Sequence, residues 1–333
     1  MAYWFVLYTF PGFFRQPLNT ALFFLFFTIL SFVFFFLFNG MAYCKYICPI
    51  GSVNTAFSRT SPMWLSTYQG ECKTCKRPDC ASACPYKLNP SKFDERNSMF
   101  GCTMCMECAH ACDAVKLEFK RWGYSLYEKI KEPKMIEVMV YLFLTAVITI
   151  TMRFHHGLSR SGLGEYMPWV VGGKYIQQAF NLPKWVDTSG LLAMLLSLIL
   201  VFGIVYLTFG KIAKVLQTNL SNVLLSLGYA FAPLMIVGGL SHVLELFFIE
   251  YYHHIVNGFS QAFGLGVSVG PLAKRGEPWL LIFRVFPFIA GLWSLHILWN
   301  RVKMLHTPRK GYVFALASAL PVFYLLLALH HHH

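Results

Sequence analysis

Eight of the ten cysteines lie between residues 72 and 112, in two groups of four. The first group reads Cys72-x2-Cys75-x4-Cys80-x3-Cys84-Pro85 and the second reads Cys102-x2-Cys105-x2-Cys108-x3-Cys112. Soft thiolates bind the iron of iron–sulfur clusters well, and the second spacing is one in which three cysteines hold one cluster while the fourth reaches another. The pattern predicts a small module that holds two clusters.

The ligands follow from the exchange of the fourth cysteine between the two groups. We predict two [4Fe–4S] clusters, cluster 1 held by Cys72, Cys75, Cys80 and Cys112, and cluster 2 held by Cys102, Cys105, Cys108 and Cys84. The first group departs from the pattern because four residues separate Cys75 from Cys80, and Asp113 instead of proline follows Cys112. Structural zinc is the alternative, since C-x2-C pairs also hold zinc.

The composition is that of a membrane protein. The mean hydropathy is +0.51, 17% of the residues are aromatic and only 13% are charged. A transmembrane helix needs about 20 predominantly apolar residues. We predict a membrane all-α fold with six transmembrane helices and an inserted small α+β, ferredoxin-like domain. The predicted spans are Thr20–Asn39, Met135–Met152, Gly190–Phe209, Asn222–Glu250, Pro278–Trp299 and Gly311–Leu329.

These spans divide the chain into four parts. Residues 1–39 hold an interfacial lead-in, too short to span, and the first helix. Residues 40–134 form the cluster domain, residues 135–329 a five-helix domain, and the histidine run 330–333 is typical of an expression tag. The net charge of +13 does not point to nucleic acid, because the basic residues lie beside apolar spans and no recognition motif accompanies them.

The basic residues also predict an orientation. The cluster domain shares its side with a loop holding Lys211 and Lys214 and a loop holding Arg301, Lys303, Arg309 and Lys310. By the positive-inside rule, this side is cytoplasmic in a bacterial inner membrane and both termini lie outside. A reducing cytoplasm agrees with metal-bound thiols. The basic surface would attract an acidic electron carrier, such as a ferredoxin or flavodoxin.

The other two cysteines, Cys44 and Cys48, directly follow the first apolar run. If this stretch is helical, they lie one turn apart on one face. Such a pair could bind a metal or cycle as a dithiol. The alternative is that both are buried thiols that pack as small apolar side chains.

The segment MAYCKYICPIGS, with its Cys44-x3-Cys48-Pro49 motif, followed by the two cluster motifs, resembles the membrane polyferredoxins of the NapH/NosR/CcoG kind. The resemblance covers roughly residues 20 to 112. It implies an electron-transfer partner that feeds quinol-derived electrons toward periplasmic reductases, or one that acts in metal-ion reduction and cofactor supply. Similar proteins also accompany bacterial iron-permease systems. The chain differs in having a single C-x3-C-P motif and five helices after the cluster domain.

A second candidate site lies on the opposite side of the predicted membrane. Ionisable side chains inside spans cost roughly 2.5–3.5 kcal/mol each near the helix centre and are default functional candidates. The group consists of His155, His156, His242, Glu245, His253, His254 and Arg284. It could bind a metal ion, a quinol or a haem. The alternative is that Arg284 pairs with Glu245 and the histidines at the mouth lie in water.

Depth excludes one version of this site, a haem held between His242 and His296. His242 lies about 30 Å along its helix from the cytoplasmic end, at 1.5 Å per residue, whereas His296 lies close to the cytoplasmic end of its own helix. His296 is therefore expected to be a hydrogen-bonded interfacial residue.

We expect an electron-transfer protein that passes electrons between a cytoplasmic carrier or the quinol pool and a membrane or periplasmic redox partner. It would be a redox subunit with no self-contained catalytic site. The alternatives are an accessory protein for iron or copper reduction or transport, with its histidine-rich site outside, and a structural anchor for a redox complex.

Overall fold

The computed structural model describes residues 2–13, 16–38, 41–67, 69–93, 102–130, 133–160, 162–183, 185–274 and 276–329, and the statements below concern these ranges. The protein is mostly helical with one small sheet. Two helices precede the cysteine-rich part: α1 (Ala2–Thr9) and α2 (Pro17–Leu37). Asn39 and His330–His333 lie outside the described residues.

The cysteine-rich part is a small α+β unit, as predicted. It begins with a π-helix at Tyr43–Ile47, and its further elements are α3 (Pro49–Ser58), β1 (Met63–Thr67), α4 (Gln69–Thr74), α5 (Asp79–Ser82), a 3-10 turn (Pro90–Lys92), α6 (Glu107–Ala111), β2 (Val115–Phe119) and α7 (Tyr124–Tyr127). The strands pair antiparallel, with Met63 opposite Phe119 and Thr67 opposite Val115. The sheet therefore joins the two ends of the cysteine-rich sequence. Its buried core consists of Trp64, Leu65, Cys80, Phe93, Cys108 and Val115.

The remaining chain forms a helical bundle. Its elements are α8 (Met135–Leu144), π-helices at Thr145–Ile150 and Arg153–Gly157, α9 (Pro168–Ala179), α10 (Thr188–Val215), α11 (Leu220–Leu227), a 3-10 turn (Gly228–Phe231), α12 (Ala232–Ile236), α13 (Leu240–Leu246), a π-helix at Phe247–Tyr251, α14 (Tyr252–Phe263), a 3-10 helix (Pro278–Arg284), α15 (Val285–Lys303), α16 (Lys310–Ala317) and α17 (Ala319–Leu329).

Several helices are long and apolar enough to cross a membrane, which is consistent with a multi-pass membrane protein. Within the described residues there are five such helices, at Leu18–Leu37, Met135–Gly157, Thr188–Val215, Leu220–Phe263 and Pro278–Lys303. The predicted sixth span is a pair, α16 and α17, bent by 44° at Ser318. Pro321 accounts for the bend, because a proline in the first turn of α17 removes a backbone donor at this break.

The predicted fourth span, Asn222–Glu250, ends too early. The helical segment runs from Leu220 to Phe263. Its 44 residues would reach about 66 Å at 1.5 Å per residue, twice the thickness of a hydrocarbon core. The chain stays helical past Glu250, through the π-helix Phe247–Tyr251 and α14, instead of ending there.

The N-terminal segment is more than an interfacial lead-in. Tyr8 on α1 is 2% exposed and packs in a small core with Val147 and Met194. Its hydroxyl donates to the Val147 carbonyl at 2.7 Å. By contrast, none of the residues of the apolar stretch in α2 is buried. Helix α1 is therefore part of the bundle, while α2 offers its phenylalanine-rich surface to the surroundings.

Candidate iron–sulfur site and outer polar cluster

Four cysteines from both groups line one cavity: Cys84, Cys102, Cys105 and Cys108. Leu65 and Phe93 close the cavity from the side of the small core. The chain wraps around the cavity because two methionines adopt left-handed backbone conformations, Met104 with φ 56° and Met106 with φ 67°. Cys84 thus joins the three cysteines of the second group, which is the set predicted for cluster 2.

Burial disfavours the free thiolate form of these cysteines, whereas backbone amides offer hydrogen bonds to their sulfurs. Burial, reinforced by the neighbouring Cys102, raises the pKa of Cys108 to about 11. Burial also raises the pKa of Cys102. Backbone amides of Leu88 and Met104 donate to the sulfurs of Cys84 and Cys102, both at 3.4 Å. Amide donors of this kind stabilise bound thiolates and tune the potential of a cluster.

Of the residues predicted for cluster 1, Cys112 and Cys72 lie near Cys80 in α5. Cys80 is 4% exposed. Burial raises its pKa, and the nearby Cys112 and Cys72 raise it further. Cys75 is exposed, and its thiol donates to the Arg77 carbonyl at 3.1 Å. Cys75 therefore contacts the four-residue spacer between Cys75 and Cys80, which is two residues longer than the corresponding spacer of the second group.

The arrangement of the thiols bears on the zinc alternative. In the described part of the chain, no three histidine, cysteine, aspartate or glutamate side chains are placed to hold one metal ion. A structural zinc ion needs four ligands, with sulfurs at about 2.3 Å. In a [4Fe–4S] cluster each thiolate binds a different iron, so the sulfurs stand farther apart around a common cavity. Within the described residues, the thiols around Cys84 therefore do not form a preformed site for a single ion.

The Cys44–Cys48 pair lies beside this site. Cys44 belongs to the π-helix Tyr43–Ile47, and Cys48 immediately precedes Pro49, the first residue of α3. Tyr86 lines the cavity of Cys84, and its hydroxyl lies near the Cys44 side chain. The juxtamembrane pair and the second cysteine group therefore share a neighbour.

On the opposite end of the bundle, the structure brings together three of the predicted histidines. The rings of His155 and His156 are 4.6 Å apart, and those of His156 and His242 are 6.5 Å apart and nearly parallel. His155 also faces two residues that the sequence did not indicate: its Nε2 lies 3.2 Å from Asp187 Oδ2, and the Tyr8 ring meets it edge-on. The sequence offered one signal for Asp187, which is its position as the last residue of a loop directly before the apolar helix α10.

Asp187 has two roles. Its Oδ1 accepts from the Gly190 amide at 2.8 Å, so it caps α10. Burial acts to raise its pKa, but the hydrogen bonds from His155 and Gly190 outweigh burial and hold the pKa of Asp187 below its usual range.

The other predicted members of this group have contacts of their own. The rings of His253 and His254 are tilted against each other, with centroids 4.1 Å apart. Glu245 forms no ion pair within the described ranges, so the alternative in which Arg284 pairs with Glu245 is not seen there. Arg284 lies on the side of Arg153 instead, and Arg153 donates to the Leu327 carbonyl at 3.2 Å. His296 accepts or donates a hydrogen bond with the Tyr127 hydroxyl at 3.0 Å, as expected for an interfacial residue.

A buried charged network between the cysteine-rich part and the bundle was also missed. Arg59, at the end of α3, forms a bidentate ion pair with Glu137 on α8, and the Tyr229 hydroxyl donates to Glu137 as well. Arg301 was predicted in a basic loop, but it lies in α15 and is 4% exposed. Its guanidinium donates to the Leu126 carbonyl at 2.7 Å because the helix continues past Trp299.

A family model described as a 4Fe-4S binding domain matches residues 20–67. The matched segment contains Cys44 and Cys48 and ends before the two groups of four. This match supports the binding of a [4Fe–4S] cluster. It covers too little of the chain to assign a family.

Similar curated proteins include two from Methanocaldococcus jannaschii, the uncharacterized proteins MJ0749 and MJ0750. MJ0749 is 30% identical over 93 residues, which are 28% of this chain and 34% of that protein. MJ0750 is 33% identical over 95 residues, which are 28% of this chain and 35% of that protein. The putative electron transport protein YccM of Escherichia coli is 32% identical over 76 residues, 23% of this chain and 20% of that protein. The chain thus spans about a third or less of these relatives. No solved structure matches it.

Proposed function

We propose that this protein is an integral-membrane iron–sulfur electron-transfer protein whose cysteine-rich part holds two [4Fe–4S] clusters. The observation that carries the proposal is the convergence of Cys84 with Cys102, Cys105 and Cys108 on one cavity, because this exchange of a cysteine between groups is typical of two-cluster ferredoxins. The similarity to a 4Fe-4S binding domain and to a putative electron transport protein supports the same conclusion.

Each cluster, when bound, accepts or gives one electron at a time. The chain supplies the ligands, Cys84, Cys102, Cys105 and Cys108 for one cluster and Cys72, Cys75, Cys80 and Cys112 for the other. The amides of Leu88 and Met104 stabilise the bound sulfurs, and Phe93 and Leu65 keep water from one side of the cavity. Cys75 and Cys105 are exposed, so each proposed ligand set would reach the surface, where a partner could exchange electrons with a bound cluster.

The donor we propose is an acidic protein carrier on the cytoplasmic side of a bacterial inner membrane. Exposed basic residues surround the cysteines and outnumber the exposed acidic ones nearby; they are Lys76, Arg77, Lys87, Lys116, Arg121 and Lys129. Opposite charges raise association rates by about 10- to 1,000-fold, and added salt reduces this gain. The acceptor would be a quinone or a redox partner in the membrane or beyond it.

Stopped-flow spectroscopy tests the proposed direction of electron transfer. Under anaerobic conditions, a reduced flavodoxin should reduce the clusters faster than a quinol analogue, and salt should slow this reaction. The double variant Lys76→Gln, Arg77→Gln should slow it at low salt, while Lys274→Gln, on the outer side, should not. Cluster reduction by the quinol analogue alone would place the donor in the membrane instead.

A second candidate, metal handling on the outer side, rests on the pair of His155 and Asp187. A metal-bound histidine commonly gives its other ring nitrogen to a carboxylate, and Nδ1 of His155 is buried without a hydrogen-bond partner among the described residues. Elemental analysis after dialysis tests this candidate. A transition metal that is retained by the wild type and lost in His155→Ala with His242→Ala would favour it over electron transfer alone.

A further inference from the structure

Cys44 and Cys48 are neighbours along one short helical turn. They lie four residues apart, in and just after a π-helix, and the Cys48 amide donates to the Tyr43 carbonyl at 2.8 Å. Residues four apart on a helix are neighbours on one face, and a disulfide requires Cα atoms roughly 4.4–6.8 Å apart. Both thiols are half-buried, and both lie near the Tyr43 side chain.

The backbone holds this pair in one arrangement. Gly51 packs so closely on the Cys44 carbonyl that a side chain at position 51 would clash with it. The Gly51 amide donates to the Cys48 carbonyl at 3.1 Å, which closes the turn between the π-helix and α3. Short π-helical turns within helices are frequently found at functional sites.

Tyr86 connects the pair to the cysteines of the second group. The side chains of Cys44, Thr103 and Cys105 all lie near its hydroxyl. Thr103 and Cys105 line the same cavity as Tyr86. Only one side chain therefore separates Cys44 from the loop that holds Cys102 and Cys105.

We propose that Cys44 and Cys48 form a reversible dithiol–disulfide couple that exchanges electrons with the two clusters. The inference rests on the proposed function, because the clusters are the redox partners of the couple. The disulfide takes up two electrons, one from each reduced cluster, and two protons, one on each sulfur. The S–S bond breaks, two thiols form, and both clusters return to their oxidised state.

The couple would change the kind of electron transfer that the protein performs. Clusters pass electrons singly, whereas a disulfide accepts two. With two clusters and one couple on the same side, the protein can collect two single electrons and hold them as a pair of thiols. A partner that requires two electrons at once could then be served from this side.

An anaerobic redox titration of the full-length protein in detergent tests the proposal. The wild type should take up about four electrons per chain, two in the clusters and two in the couple, whereas Cys44→Ser and Cys48→Ser should each take up about two. In the wild type, alkylation followed by mass spectrometry should label Cys44 and Cys48 only after reduction. This second readout does not depend on how the variants fold.

Uptake of about two electrons by the wild type, with equal labelling of both cysteines in the oxidised and reduced protein, would overturn the proposal. Protection of both cysteines in both states, with an extra metal ion per chain, would also overturn it in favour of a metal site. Iron and sulfide analysis of the same sample distinguishes either result from failure of the proposed function. If the proposed function fails, the protein contains no clusters, while the labelling of Cys44 still follows the applied potential.

Tyr86→Phe, with Tyr127→Phe as a matched control, tests the contact between the couple and the cavity. Loss of the Tyr86 hydroxyl should shift the midpoint potential of the couple and leave the number of electrons unchanged. Tyr127 hydrogen-bonds to Trp293 and His296 instead, so its variant should keep the wild-type potential. Equal potentials in the two variants would contradict the role of Tyr86.

Discussion

Arg59 and Glu137 form a buried bidentate ion pair, with Nε to Oε1 at 2.9 Å and Nη2 to Oε2 at 3.0 Å. Their side chains are 2% and 1% exposed. The ring of Tyr229 faces the guanidinium of Arg59 at 5.6 Å and that of Arg301 at 5.3 Å. Since Arg59 belongs to the cysteine-rich part and Glu137 to the bundle, the pair ties the two parts together.

Removing one partner of this pair should destabilise the protein strongly. Glu137→Gln leaves the Arg59 charge buried without compensation, and such losses cost about 3–5 kcal/mol. We expect this decrease in the free energy of unfolding in detergent, measured by denaturant titration. Glu165→Gln is the control, because its pair with Lys174 is exposed and such pairs contribute about 0–1 kcal/mol. A loss in Glu137→Gln no larger than in the control would contradict the account.

Substitution of the exchanged cysteines should remove one cluster each. Cys84→Ser should abolish the cluster held by Cys102, Cys105 and Cys108, and Cys112→Ser the other, so that iron falls from about eight to about four atoms per chain in either variant. Iron and sulfide determination checks the content, and electron paramagnetic resonance checks which signal is lost. Ser91→Ala, a non-ligand change at a half-buried position that keeps the backbone amide, should keep both. Loss of the same signal in both cysteine variants would refute the exchanged ligand sets.

Gly51→Ala should disturb the turn that holds Cys44. A Cβ atom at position 51 would overlap the Cys44 carbonyl oxygen, so the backbone must shift. We expect a lower melting temperature and faster alkylation of Cys44 by a soluble maleimide. Gly70→Ala offers a matched control, because a side chain there meets no atom within 4 Å. Identical alkylation rates in the two variants would show that the turn is not constrained as described.

Two substitutions of Asp187 separate the effect of its charge from the effect of its capping hydrogen bond. Asp187→Asn keeps an acceptor for the Gly190 amide but loses the charge, whereas Asp187→Ala loses both and should cost about 1 kcal/mol more. Because the pKa of Asp187 is lowered in the folded protein, its charge contributes stability that is complete above the unfolded value of about 4 and is lost as the pH falls through the folded value.

The measurement is the free energy of unfolding of the wild type and Asp187→Asn over a range of pH. The difference between them should be constant near neutral pH and shrink on acidification below about pH 4. A difference that grows on acidification would mean that the carboxylate is destabilised in the folded protein.

The sequence predicted those features that depend on local spacing. The thiols of Cys84 and Cys102 belong to a repeated pattern whose chemistry is known, and the apolar runs have the length of a bilayer crossing. The break at Ser318 also had a local signal in Pro321, although the length of the apolar run Gly311–Leu329 alone predicts a single span. Helix ends were less predictable, since polar residues such as His155 and Tyr252 continue their helices.

Contacts between distant segments could not be predicted in this way. Arg59 and Glu137 are 78 residues apart, and no spacing rule relates them. Glu137, one turn into its span, looks like an ordinary charge at a membrane surface. Arg301 likewise resembles a loop residue until the length of α15 is known. The partner of His155 depends on how α10 begins beside the second span, which only the packed bundle reveals.

The central claim is that the cysteine-rich part holds two [4Fe–4S] clusters. Electron paramagnetic resonance of the anaerobically reduced protein, with iron and sulfide determined on the same sample, tests it most directly. We predict about eight iron atoms and eight sulfides per chain, with a signal that integrates to about two spins of two interacting reduced clusters. A protein that contains zinc without sulfide, and gives no signal after reduction, would contradict the account.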